Sequence, residues 1–113
     1  MHEVGLTQSI LDMAEIRALE AGAKSIGKIT ICVGRISGAV PEALEFSFEA
    51  LTPGTMAEGA ELEIERVDVA CRCAECDIEF TPQEMIYSCP QCGTPSSEII
   101  RGRELYLVSM EVD

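Results

Sequence analysis

Two Cys-x-x-Cys pairs, Cys73-Ala74-Glu75-Cys76 and Cys89-Pro90-Gln91-Cys92, stand with twelve residues between them. Thiolates in this layout suit one chemistry above others. Two residues between the members of a pair let both sulfurs converge on one tetrahedral ion, and two such pairs complete a four-thiolate zinc site. Gly93 follows the second pair and can turn with positive φ, while Pro90 stiffens the same turn. Asp77 holds the corresponding place after the first pair, and aspartate tolerates the left-handed region better than most residues. Cys71 is an alternative ligand, because its spacing to Cys76 is also permitted, although Cys73 matches the usual spacing. A redox dithiol is the competing reading. It is disfavoured, because that motif opens a helix in a βαβ setting and does not come in duplicate with knuckle turns. Four cysteines leave no coordination position for water, so the site reads as structural rather than catalytic.

The second set of donors lies at the other end of the chain. His2, the sole histidine, follows Met1 directly. A lone histidine near a terminus usually carries no function, so its weight rests on what surrounds it. A free α-amine, the amide nitrogens after it and an imidazole at position two form a compact nitrogen donor set that suits Ni²⁺ or Cu²⁺ in a square-planar arrangement. Glu3 adds a further amide nitrogen or a carboxylate, and the bulk of His2 should hinder removal of Met1. The row Glu61, Glu63, Glu65 reads instead as a solvated strand face, since nothing nearby in sequence offers a partner for acid or base work.

Length and charge narrow the classes. A chain of 113 residues suggests one domain, or one domain carrying a small insertion, whose modest core would profit from a metal staple. The net charge is −12, with eight cations scattered among twenty acids, which argues against nucleic acid and for a basic protein partner, the alternative being an acidic surface that only keeps the protein soluble. No basic segment followed by an apolar run opens the chain, and no apolar stretch approaches membrane-spanning length. Paired cysteines without an export signal fit metal binding in a reducing cytoplasm.

The elements that must position these donors can be read from periodicity. From about Val4 to Ala21, Leu6, Ile10, Leu11, Met13, Ala14, Ala18 and Ala21 predict the inward stripe of an amphipathic helix, ended by Gly22. Ile29, Ile31 and Val33 alternate with Thr30 and Cys32 in a strand over Lys28 to Gly34, with Cys32 a small core residue. Pro41 suits the first position of a second helix, striped by Leu44, Phe48 and Leu51 and ended at Pro53-Gly54. A strand from Ala60 to Cys71 changes parity after Arg66, which predicts a bulge or twist where it enters the cysteine unit. Glu104 to Val112 forms the last strand, with Tyr106, Val108, Met110 and Val112 on one face and Leu105 and Leu107 on the other. The fold class is α+β: two helices packed on a small mixed three-stranded sheet, with an inserted zinc-ribbon-like module. Residues 1–70 together with 98–113 make the core, and 71–97 the module, drawn as the tip of a hairpin between the second and third strands. A helical crossover would make the first two strands parallel and the third antiparallel.

Several short stretches, in order, carry a resemblance. Met1-His2-Glu3, Val33-Gly34-Arg35-Ile36-Ser37-Gly38, Pro41-Glu42-Ala43-Leu44, Gly54-Thr55 with Glu58-Gly59-Ala60, and the Cys73, Cys76, Cys89, Cys92 quartet resemble the HypA/HybF family of hydrogenase nickel-incorporation proteins. The resemblance covers nearly the whole chain. It implies a nickel metallochaperone, not an enzyme, that binds Ni(II) as cargo through Met1, His2 and Glu3. It further implies structural Zn(II) held by Cys73, Cys76, Cys89 and Cys92, and docking to a nucleotide-hydrolysing nickel-insertion metallochaperone. Delivery would be to the large subunit of [NiFe]-hydrogenase, with urease served by some relatives. The alternative is a zinc-ribbon protein-interaction scaffold without nickel cargo.

Overall fold

The computed structural model describes residues 2–83, 86–95 and 98–113, with His2 described by its backbone alone. The elements are α1 (His2–Glu20), β1 (Ile26–Gly34), α2 (Pro41–Leu51), β2 (Glu61–Val67), β3 (Ala70–Cys73), β4 (Ile78–Phe80), β5 (Glu98–Arg101) and β6 (Leu105–Val112). In α1 the buried residues Thr7, Leu11, Ala14 and Ala18 recur at steps of three and four, so one stripe faces the core. The helix ends in a paired-bond cap at Gly22, whose φ is 76°. There the Ala23 amide donates to the Ala18 carbonyl at 2.9 Å and the Gly22 amide to Leu19 at 3.0 Å. Met13, expected in the inward stripe, is exposed. It stands about 200° around the helix from Leu11, so no single face can hold both.

The first sheet has the order β2-β1-β6, with β2 parallel and β6 antiparallel to β1. Parallel pairing follows from the α2 crossover, which returns the chain to the starting end of β1. This order corrects the hairpin expectation. β2 and β6 flank β1 on opposite sides, so the cysteine unit is not the tip of a hairpin. The helices cover the face carrying Ile29, Ile31 and Val33, against which Leu44 and Phe48 of α2 pack. Burying side chains of this size is worth roughly 1.5–3 kcal/mol each.

The last strand also departs from simple alternation. The pairings Thr30↔Ser109 and Ile31↔Leu107 leave Val108 as an extra residue, a bulge that reverses parity. Leu105, Leu107 and Met110 therefore all join the core cluster, whereas Tyr106 and Val108 stay exposed. Thr30 and Cys32 point to the uncovered face yet are buried, because β1 is central and its neighbours lean over it: Thr30 Oγ1 donates to Glu63 at 3.3 Å, and Cys32 is paired with Glu65 and Tyr106. The contact with Cys32 also raises the Tyr106 phenol above its ordinary range.

The expected long second strand breaks in two. β2 ends at Val67, and after Asp68-Val69 the chain starts β3 in a separate antiparallel sheet of order β4-β3-β5. The radius of gyration is 17.6 Å, well above the roughly 13 Å of a compact chain this long, which fits two lobes joined end to end. The junction is held tightly. Val69 is buried, the Arg35 amide donates to Val67 at 2.8 Å, and the Ile36 amide donates to Gly102 at 2.8 Å. Asp68 accepts from the Val69 amide at 2.8 Å and from Arg35 at 3.3 Å. Both contacts lower its carboxyl pKa, the backbone bond more than the guanidinium. Because only Ala21–Ser25 separate α1 from β1, the helix runs back along the strand. Its first turn therefore lies toward the Gly34 end of the sheet, where the second lobe is attached.

Candidate metal centre

β3 delivers Cys73 as its last residue, and the chain then turns through 74–77 into β4. That turn closes with the Asp77 amide donating to the Cys73 carbonyl at 2.8 Å, and Asp77 adopts a φ of 56°. The second knuckle repeats the geometry: the Gly93 amide donates to the Cys89 carbonyl at 2.9 Å, and Gly93 has a φ of 76°. Asp77 thus fills the left-handed position that glycine fills in its twin. Its side chain also pairs with Arg72, which reaches toward Glu98 on β5 at 4.0 Å. These surface ion pairs are worth little individually.

The two knuckles face one another. The Sγ atoms of Cys73, Cys76, Cys89 and Cys92 all lie within 4.8 Å of each other, with Cys73 to Cys92 at 3.6 Å and Cys76 to Cys89 at 3.9 Å. A tetrahedron with zinc–sulfur bonds of about 2.3 Å has an edge of about 3.8 Å, which the two short sulfur pairs match, so the residues present suit zinc. The amide of Gln91 lies 3.4 Å from the Cys89 sulfur, positioned to donate to a thiolate. The thiols are not equivalent. Hydrogen bonding with the Thr94 side chain, whose Oγ1 is 3.1 Å away, and then with the Thr94 backbone holds Cys92 down to about 6. Cys76 is pushed up to about 12, first by its hydrogen bond with Cys92, then by desolvation and by Cys89. Zinc binding would displace the remaining protons.

Cys71 lies outside the group. It is fully buried between Phe80 and Ile99 on the neighbouring strands. β3 packs it there one strand step before Cys73, and its sulfur is not part of the four-sulfur group. Residue type and spacing do not mark Thr94 as a partner of the cysteines, nor Gly34 and Gly102 as the junction of the two sheets. Of these, only Thr94 carries a local signal, as a hydroxyl residue directly after the knuckle glycine. At the other end, Met1 lies outside the described residues, as does the His2 side chain. Glu3 sits in the first turn of α1, where its carbonyl accepts from Thr7 Oγ1 at 2.6 Å. It is not among the residues of the cysteine group.

The profile of the family described as "Hydrogenase/urease nickel incorporation, metallochaperone, hypA" matches residues 1–112. The chain belongs to the HypA family. It is 46% identical over 112 residues to the hydrogenase maturation factor HypA of Picosynechococcus sp., covering 99% of each chain. Identity to the HypA of Aquifex aeolicus is 37% over 113 residues, covering 100% of this chain and 98% of that one. Among solved structures, a solution structure of HypA protein superposes with a TM-score of 0.72 at 25% identity, over 100% of this chain and 97% of the other. The solution structure of the Ni metallochaperone HypA from Helicobacter pylori gives a TM-score of 0.66 over 99% and 97%, and at 24% identity it speaks for the HypA fold alone. The two helices, the mixed three-stranded sheet and the four-cysteine cluster agree with the α+β reading. No helix among the described residues is long and apolar enough to cross a membrane.

Proposed function

We propose that this protein is a nickel metallochaperone that takes up Ni(II) at its N-terminus and helps deliver it into [NiFe]-hydrogenase during maturation. The observation that carries the reading is membership of the HypA family along the whole chain, with Met1-His2-Glu3 inside the matched range. The α-amine of Met1, the amide and imidazole of His2 and the amide of Glu3 are the proposed nickel donors. Local structure supports them. α1 begins at His2, so the amides of residues 2 and 3 belong to the first turn and have no intrahelical acceptor to surrender to a metal. The positive end of the helix dipole works against a cation there, which suits a carrier that must release its cargo.

Cys73, Cys76, Cys89 and Cys92 are the proposed ligands of a structural Zn(II), which stays while nickel leaves. Residues 1–70 with 102–113 then act as the nickel-binding core. Because β5 pairs with β3, its four residues belong with the zinc unit, which extends that unit beyond 97 to Arg101. The protein carries a metal and turns over no substrate. It works in the cytoplasm with a nucleotide-hydrolysing nickel-insertion metallochaperone and the hydrogenase large subunit. Nickel titration of untagged protein tests the reading: binding is expected to vanish in His2→Ala and behind an N-terminal tag, with zinc content unchanged. It should also weaken as pH falls through about 6.5, where imidazole protonates. Equal nickel binding by all three proteins would sink it.

A further inference from the structure

Helix α1 is apolar on two sides. Its inward stripe packs on the sheet and α2, and on the far side Met13, Ile16 and Leu19 follow at three-residue steps and remain 44%, 59% and 65% exposed. On α2, Leu44, Ser47 and Phe48 face inward, while Phe46 stands outward at 74% exposure among Glu42, Glu45 and Glu49. A scattered exposed side chain needs no account. Met13, Ile16 and Leu19 lie along one line of α1, and with Phe46 on the packed helix α2 they turn four large apolar side chains away from the core, more than isolated exposure accounts for.

Charge selects the occupant. Asp12, Glu20 and the three α2 glutamates are exposed on the outer sides of the helices, against which Arg17 and Arg66, the latter 3.7 Å from Glu42, are minor counterweights, and the chain as a whole carries −12. A second copy of this chain would set carboxylates against carboxylates, and anionic lipid would be repelled for the same reason. A segment whose apolar side chains are flanked by lysine or arginine satisfies both the hydrophobic face and its rim.

We propose that the outer face of the α1–α2 layer, through Ile16 and Phe46, docks a cationic amphipathic helix of a partner protein. This deepens the metallochaperone reading and rests on it for its purpose. α1 starts at the proposed nickel donors, so a partner lying along its outer face is alongside the cargo when it binds.

The test uses full-length, zinc-loaded protein and a fluorescent synthetic leucine–lysine amphipathic helix as probe, with a leucine–glutamate helix of the same pattern as control. The lysine helix is expected to bind about tenfold or more tighter than the glutamate helix, and to weaken with salt. The double variant Ile16→Ser/Phe46→Ser should lose about tenfold in affinity, whereas Val108→Ser on the open sheet face should lose nothing. Both sites are exposed, and unchanged zinc content and melting temperature will certify the fold. Equal binding of the two helices, or undiminished binding by the double variant, overturns the proposal. So does a dimer of the protein alone that the double variant dissolves, since the face would then belong to a second copy. Nickel titration of the same variant separates the two readings. Peptide binding lost with nickel retained supports the docking face. Nickel binding absent throughout, with peptide binding intact, defeats the metallochaperone reading and leaves the docking face standing.

Discussion

Gly34 and Gly102 meet backbone to backbone: a β-carbon on Gly34 would stand 2.2 Å from the Gly102 carbonyl oxygen and 2.3 Å from its carbonyl carbon. Gly34 ends the central strand of the first sheet, and Gly102 links the second sheet back to β6. Gly102 is itself held at a φ of 124°, with Val69 and Ile36 against it. The lobes are thus joined where only glycine fits. Gly34→Ala must push backbone aside, at a cost of about 1–3 kcal/mol. Denaturant unfolding should register that loss with zinc stoichiometry unchanged, and a variant as stable as the parent would mean that the junction yields freely.

Asp68 gives the same junction a pH dependence. Its carboxyl is held below the ordinary 3.8 by the Val69 amide and then by Arg35. A depressed folded value means that the contribution is complete above the unfolded value and disappears as pH falls through the folded one. The stability difference between the parent and Asp68→Asn should therefore be constant from neutral pH down to about 5 and close progressively below 4. A gap that persists into strong acid would assign the effect to shape rather than charge.

Cys71 and Cys73 sit two residues apart on one strand with different surroundings, and their variants should separate cleanly. Cys73→Ala is expected to abolish stoichiometric zinc, while Cys71→Ala keeps it and loses only packing between Phe80 and Ile99. Elemental analysis of the purified variants reads the difference. Zinc lost from both would place Cys71 in the coordination chemistry.

Stripping zinc should open one lobe and spare the other. A closed thiolate site contributes on the order of 10 kcal/mol or more to local folding, and the second sheet is small: three strands of four, three and four residues. The first sheet keeps its own cluster of Ile29, Ile31, Val33, Leu44 and Phe48. After chelation, hydrogen exchange should accelerate through Ala70–Cys73 and remain slow at Ile29–Val33. Uniform acceleration would show one cooperative unit instead.

Much of this protein is legible without coordinates because the relevant signals are local. The two Cys-x-x-Cys pairs, the need for a left-handed residue at Asp77 and Gly93, the start of α2 at Pro41 and the alternation of Ile29, Ile31 and Val33 all lie within a few residues of chain. A helical stripe is harder to read, because α1 carries apolar residues on both sides. Nothing in its periodicity says that Leu11 faces the sheet while Met13 and Ile16 face out.

Sequence by itself determined the donor chemistry, the approximate elements and the mixed pairing implied by a helical crossover. Tertiary structure decided what depends on residues far apart. It placed β6 beside β1 rather than β2, and the bulge at Val108 turned Leu105, Leu107 and Met110 to a single core face. It also set Cys71 one strand step outside the four-sulfur group, and pressed Gly34 against Gly102. Spacing along a chain fixes which sulfurs can converge. Only the packing of strands from distant segments fixes which of them do, and on which face the rest are left.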